Sequence, residues 1–247
     1  MIIAILGLSL LIGISLGLLG GGGSILTLPI LTYVAGVDTK SAIASSLFVV
    51  AVTSAVGVVS HARAGRVQWR TGVLFGAAGM VGAYGGGRLA KLIPGNVLML
   101  LFAAMMVATA IAMLRGRKDA GPGRTTDLPV GKVLLEGVIV GVVTGIVGAG
   151  GGFLVVPALV LLGGLSMERA VGTSLVVISL KSFAGFYGHL QHVSVDWSIT
   201  LTVTAAAIVG SLIGGALAGR IPPATLRRGF GVFVLIMATF VLAKELL

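Results

Sequence analysis

The chain contains no cysteine in 247 residues, which excludes disulfides, thiolate nucleophiles and Cys-based metal sites. Charge is nearly as scarce, at 10% of residues with only seven Asp or Glu, against roughly a quarter charged in a soluble domain. A hydrolase built on paired aspartates and a relay of buried carboxylates both lack the material. No nucleotide-binding P-loop and no H-E-x-x-H metal motif occurs, so no ATP-driven or zinc-dependent chemistry is indicated and no cofactor is expected. GAGGGF, residues 148–153, looks like the start of a dinucleotide fingerprint, but Phe153 stands where the third glycine belongs.

What the chain has instead is apolar length: 57% hydrophobic residues, gathered in runs of about twenty that suffice to cross a hydrocarbon core of about 30 Å as helix. Lipid offers no partner to a free backbone N–H or C=O, so spanning segments are helices or a closed barrel, and continuous apolar runs without dyad alternation exclude the barrel. An all-α polytopic membrane protein is expected, with the bilayer as its surroundings. The net charge of +10 then reads as basic cytoplasmic loops and not as a nucleic-acid surface. The N-terminus MIIAILGLSLLIGISLGLL lacks a basic n-region and a small-residue cleavage site, and reads as a retained helix.

One sentence is written twice. GGGGSILTLP at 20–29 returns as GAGGGFLVVP at 148–157, an offset of 128 that lays Pro157 on Pro29. Under the same offset Gly13, Gly17, Gly20, Gly22 and Gly23 meet Gly141, Gly145, Gly148, Gly150 and Gly151. Ser46 meets Ser174, Gly57 meets Gly185, His61 meets His189, Trp69 meets Trp197, Gly82 and Gly86 meet Gly210 and Gly214, and Pro94 meets Pro222. Two copies of one unit are expected, at 1–114 and 133–247, each with about five hydrophobic segments, joined by a Gly-, Pro- and charge-rich cytoplasmic linker at 115–132.

Five crossings per copy would turn the second upside down. In that arrangement, with both termini outside, the inner loops hold Arg63, Arg66, Arg70, Arg115, Arg117, Lys118, Arg124, Lys132, Arg169, Arg220, Arg227 and Arg228. The outer side holds Lys40, Arg88, Lys91 and Lys244. Twelve against four satisfies the positive-inside rule, and an inner-membrane protein with inverted-topology repeats is expected.

The second segment of each copy is short for a span. Preceded by Gly20–Gly23 or Gly148–Gly152, it reads as half of a helix broken inside the membrane, where free N–H groups at the half-helix start suit an anion. Gly21, Gly22, Gly23 and Ser24 in one copy, and Gly150, Gly151 and Gly152 in the other, are the candidate half-sites. The alternative for glycines is close packing, and that is the reading for Gly13/Gly17, Gly82/Gly86, Gly141/Gly145 and Gly210/Gly214.

Lys181 is the one charge deep in an apolar segment, where it costs at least roughly 2.5 kcal/mol. Thr53 occupies its place in the other copy. A cation aimed at an anionic substrate competes with a lysine that snorkels or pairs with a carboxylate. Among many hydroxyls, the repeat singles out Ser46 and Ser174, with bonding to their own helix as the alternative. His61 and His189 are candidates for proton coupling or, as with Trp69 and Trp197, interfacial residues.

GLLGGGGSILTLPIL with ASSLFVV, then GIVGAGGGFLVVPALV with AVGTSLVVI and a GHL near the helix end, together resemble the sulfite exporter TauE/SafE family, also called the toluene sulfonate uptake permeases. The resemblance covers essentially the whole chain. It implies a carrier of small sulfur-containing anions such as sulfite or sulfonates, with no catalytic residue to transfer. A passive anion channel and a non-transporting scaffold stand as alternatives, and a homo-oligomer is left open.

Overall fold

In a computed structural model of the chain, residues 2–115, 130–147, 152–190, 193–218 and 220–246 are described; most of the expected linker, together with Gly150 and Gly151, lies outside them. Among the described residues the architecture is all helical. Ten α-helices follow one another: α1 (Ile2–Leu19), α2 (Gly22–Pro29), α3 (Thr39–Arg63), α4 (Trp69–Leu89), α5 (Gly95–Arg115), α6 (Val130–Val147), α7 (Gly152–Pro157), α8 (Met167–Leu190), α9 (Trp197–Ala218) and α10 (Pro223–Leu246). Five of them, α3, α5, α8, α9 and α10, are long and apolar enough to cross a membrane.

Local chemistry explains where the helices begin and stop. Asp38 accepts the first free N–H groups of α3 at Lys40 and Ser41 (3.1 and 3.5 Å), and Asp196 does the same for α9 at Ser198 and Ile199 (3.0 and 3.1 Å). α2 and α7 both end on proline, whose ring removes an N–H. The chain then widens into single π turns, Ile30–Val34 and Ala158–Leu162, closed by Ala35 N–H to Ile30 O at 3.0 Å and Gly163 N–H to Ala158 O at 2.9 Å. Gly36 and Gly164, at φ +69° and +62°, end these turns in the left-handed region that glycine tolerates.

Glycine seams fix the packing. α1 runs parallel to α9: a methyl on Gly13 would strike the Ala207 carbonyl, and one on Gly17 the Ser211 carbonyl. α4 runs parallel to α6 by the same device, Gly82 against Val138 and Val142, Gly141 against Gly79, Gly145 against Ala83. The four small-xxx-small pairs picked out by spacing therefore lie in helix seams, where backbones close to van der Waals contact. α3 and α8 are antiparallel, with Gly57 on Leu175 and Gly185 beside Leu47, which sets Thr53 and Lys181 near the midpoint of the pair. α5 and α10 pack on one another through Met106, Ala110, Phe230 and Val234. Large apolar side chains such as Val81, Leu135 and Ile236 face outward, Val81 being 71% exposed, as lipid contact requires.

The bundle has two ends. One gathers His61, Arg66, Glu168 and Ala218; the other gathers His189, Lys40, Lys91 and Ala90. Filling a seam should separate packing from composition: Gly141→Val is expected to cost about 1–3 kcal/mol, read as a lower thermal midpoint in detergent. Gly85→Ala, where an added methyl meets nothing within 4 Å, is expected to leave the midpoint unchanged or higher.

Candidate substrate site

α1 stops because residue 20 is glycine at φ +71°. An added Cβ there would also press on the Ser174 hydroxyl and the Val171 backbone. The turn closes with Gly21 N–H to Leu19 O at 2.9 Å. In an unbroken helix that N–H would go to Gly17 O; diverted, it leaves Gly17 O bare at a depth where no water replaces it. His61 of α3 supplies the donor, with Nε2 at 2.8 Å from Gly17 O. A carbonyl only accepts, so Nε2 carries the proton. Ahead of the second glycine tract, His189 of α8 stands in the same relation to Gly145 O, at 2.9 Å.

The interfacial reading of these histidines is therefore corrected: His61 is 1% and His189 5% exposed, and both imidazoles clasp helix carbonyls inside the protein. Trp69 and Trp197, by contrast, are about half exposed at the starts of α4 and α9.

After Gly21 the chain reverses. α2 lies back along α1, Gly23 pressing on the Ile12 carbonyl and on Leu16, so the short second segment runs back against the first instead of continuing it. With its π turn it spans residues 22–34, about 20 Å of helix. Its start abuts the start of α7: Gly21 faces the Gly152 carbonyl and Phe153 N, and Gly152 faces Gly21 Cα and the Ser24 hydroxyl. Gly22 opens α2. Of the second tract's candidates Gly152 alone is described, since Gly150 and Gly151 lie outside the described residues. Two interrupted helices thus meet glycine to glycine, fully buried.

The hydroxyls sort by where their single proton goes. Ser24 donates to Gly21 O at 2.7 Å, Ser46 to Ile43 O at 2.8 Å and Ser174 to Val171 O at 2.8 Å. Each bonds its own helix, which leaves only lone pairs to offer an anion. Thr53 and Ser54 differ: both are buried at 0% exposure, and neither hydroxyl has a hydrogen-bond partner among the described residues. Sequence reasoning passed over Ser54, although the offset that pairs Ser46 with Ser174 also pairs Ser54 with Ser182.

Lys181 is buried at 1% exposure, and its Nζ donates to Thr144 Oγ1 of α6 at 3.2 Å. Thr144 in turn bonds Gly141 O at 3.2 Å and neighbours Gly145, the residue clasped by His189. Along α8, Ser174, Ile178, Lys181, Gly185 and His189 fall at helical spacing on one face. Ile178 reaches Gly152, so Lys181 stands one turn along α8 from the meeting of α2 and α7, and its Cα two turns, about 12 Å along the axis, from that of His189.

A helical bundle with lipid-facing apolar surface, helices long enough to span and others broken within it is a multi-pass membrane protein. The sequence model of the family Sulfite exporter TauE/SafE matches residues 5–241, and the chain belongs to that family, one of transporters and not of enzymes. It is similar to a probable membrane transporter protein of Xylella fastidiosa, 35% identical over 242 residues covering 95% of this chain and 92% of the relative. It is similar also to the probable membrane transporter protein YdhB of Bacillus subtilis, 28% identical over 88% of this chain and 90% of the relative. A probable membrane transporter protein of Methanocaldococcus jannaschii is 30% identical over 96% of each chain. No solved structure matches the chain.

Removing a clasp leaves a buried carbonyl unpaired, at about 1–3 kcal/mol. His61→Ala is expected to lower the thermal midpoint accordingly, and His61→Gln, whose carboxamide can donate, to recover part of the loss.

Proposed function

We propose that the chain is a secondary permease that moves a small sulfur-containing anion, such as sulfite or a sulfonate, across the inner membrane by alternating access between two inverted repeats. The observation that carries this reading is Lys181, a cation enclosed in protein at the middle of the α3–α8 pair, with a hydroxyl as its described partner. A buried ammonium with no carboxylate partner among the described residues is costly, and a visiting anion would offset that cost. Thr53 and Ser54 of the facing helix add buried hydroxyls without a partner among the described residues, and Gly21–Ser24 with Gly152 form the contact about which the two halves would turn.

Inversion is supported by matched geometry. His61 and His189, Glu168 and Lys40, Ala218 and Ala90, and Leu226 and Leu98 stand at the same chain offset and line corresponding places at opposite ends of the bundle. The parallel pairs α1–α9 and α4–α6 exchange under that offset, as do the seams that hold them. The Arg-rich end, with Arg63, Arg66, Arg169 and Arg220 near His61, is assigned to the cytoplasm by the positive-inside rule.

Alternating access is favoured over an open channel by the inequality of the ends. The cleft beside His61, Arg66 and Glu168 has no room for a water molecule, whereas the end beside His189 holds a cavity of about 150 Å³. Because each Nε2–H is given to a carbonyl, proton coupling through His61 or His189 would act at Nδ1.

A charge-assisted hydrogen bond is worth about 1.5–3 kcal/mol, so Lys181→Met is expected to weaken sulfite flux into proteoliposomes about ten- to a hundredfold. Thermal midpoints measured with sulfite, thiosulfate and sulfonates should rise in the unaltered protein and stay flat in the variant. Unchanged flux removes Lys181 from the pathway. No shift with any anion in either protein leaves the scaffold reading.

A further inference from the structure

The geometry points to a second anion site, distinct from the buried centre: the cavity at the His189 end captures a small oxyanion through Lys40 and Lys91. The cavity lies where the start of α3, the end of α4 and the end of α8 converge, lined by Lys40, Lys91, His189, Leu98 and Val193. Its volume of about 150 Å³ compares with about 30 Å³ for each water in the liquid, so it admits a tetrahedral oxyanion with part of its hydration shell. Lys40 Nζ gives one hydrogen bond to Lys91 O at 3.2 Å. An ammonium has three donors, and that bond holds the charge of Lys40 over the turn that carries Lys91.

Among the described residues, the acids near this end are engaged outside the cavity. Asp38 and Asp196 turn their carboxylates onto the first N–H groups of α3 and α9, and neither lines the cavity. A basic cleft with low-dielectric walls concentrates counter-ions. The residue in Lys40's place at the opposite end is Glu168, beside Arg66, in a cleft without room for water. The two ends are therefore built differently: one cavity is lined by two lysines, and the other cleft sets a carboxylate beside an arginine.

A chain of hydrogen bonds leads inward from the cavity wall. His189 on its wall clasps Gly145, the adjacent Thr144 accepts from Lys181, and the distance along α8 is two turns. Lys40 and Lys91 thus form the outer of two cationic stations on one path. Its role as the carrier's entrance rests on the anion-carrier reading; capture of an anion in it does not.

The absence of cysteine makes a direct test available. Val193→Cys gives a unique thiol in the cavity wall for a bimane fluorophore, quenched by iodide or by neutral acrylamide in detergent at low ionic strength. Iodide quenching, normalised to acrylamide, is expected to fall about tenfold in Lys40→Gln/Lys91→Gln, to return in Lys40→Arg/Lys91→Arg, and to be displaced by sulfite. The difference should shrink in about 0.15 M salt, where the Debye length is about 8 Å. Equal iodide quenching with and without the two lysines, at equal acrylamide quenching, overturns the site. Iodide capture without sulfite flux in proteoliposomes keeps the site and sinks the carrier reading, and sulfite flux with lysine-independent quenching does the reverse.

Discussion

A backbone carbonyl inside a bilayer must find a donor, and the protein depends on how it meets that demand where α1 is broken. Gly20 turns the chain into the left-handed region, Gly21 N–H goes to Leu19 O, and Gly17 O is stranded. The imidazole of His61 takes it. Because that donor comes from α3, the end of the broken helix is tied to a long helix of the bundle. With α1 held, α2 can fold back along it and present its first turn to α7. The clasp of His189 on Gly145 ties α6 to α8 in the same way. Satisfaction of one acceptor thus fixes the direction of α2, and through it where the glycines meet.

Glycine does two separate jobs in this chain. In α1, α4, α6 and α9 it removes side chains from a seam so that helices close on each other's carbonyls. At 20–21 and 152 it lets the starts of α2 and α7 touch, where any Cβ would collide with backbone. The first use makes rigid parallel pairs, and the second makes a narrow contact between them. Stiff pairs joined through a contact of two glycines suit relative rocking better than internal deformation, since packed seams resist small displacements. The charges are not shared equally. Under the offset of 128, Lys181 falls on Thr53 and Glu168 on Lys40, so the charged residues depart from the likeness that the glycines keep.

Much of this was legible in the sequence, and what was not has physical reasons. Long apolar runs gave the helices, and Gly-xxx-Gly spacing gave the seams, because both are local patterns. Proline and consecutive glycines located the interruptions. Lys181 stood out because a charge amid apolar residues needs a partner. The role of the histidines was hidden: the bond from His61 to Gly17 spans 44 residues and exists only once the helix end exposes its acceptor. The serines misled for the opposite reason. Ser46 and Ser174 are matched between the halves, yet each returns its proton to a carbonyl three residues earlier, a local alternative always open to a helical serine. Whether the second segment crosses or returns was undecidable from hydropathy, since about a dozen apolar residues suit either.

The chain has three histidines, so the central interaction can be observed directly. Nitrogen NMR of the protein labelled with ¹⁵N-histidine, compared with His61→Gln and His189→Gln for assignment, reports which ring nitrogen carries the proton. A proton on Nε2 of both His61 and His189, hydrogen-bonded and protected from exchange, is the predicted result. Neutral rings protonated at Nδ1, with Nε2 bare, would contradict the account, because a bare nitrogen cannot donate to a carbonyl and the ends of α1 and α6 would have to be held by something else.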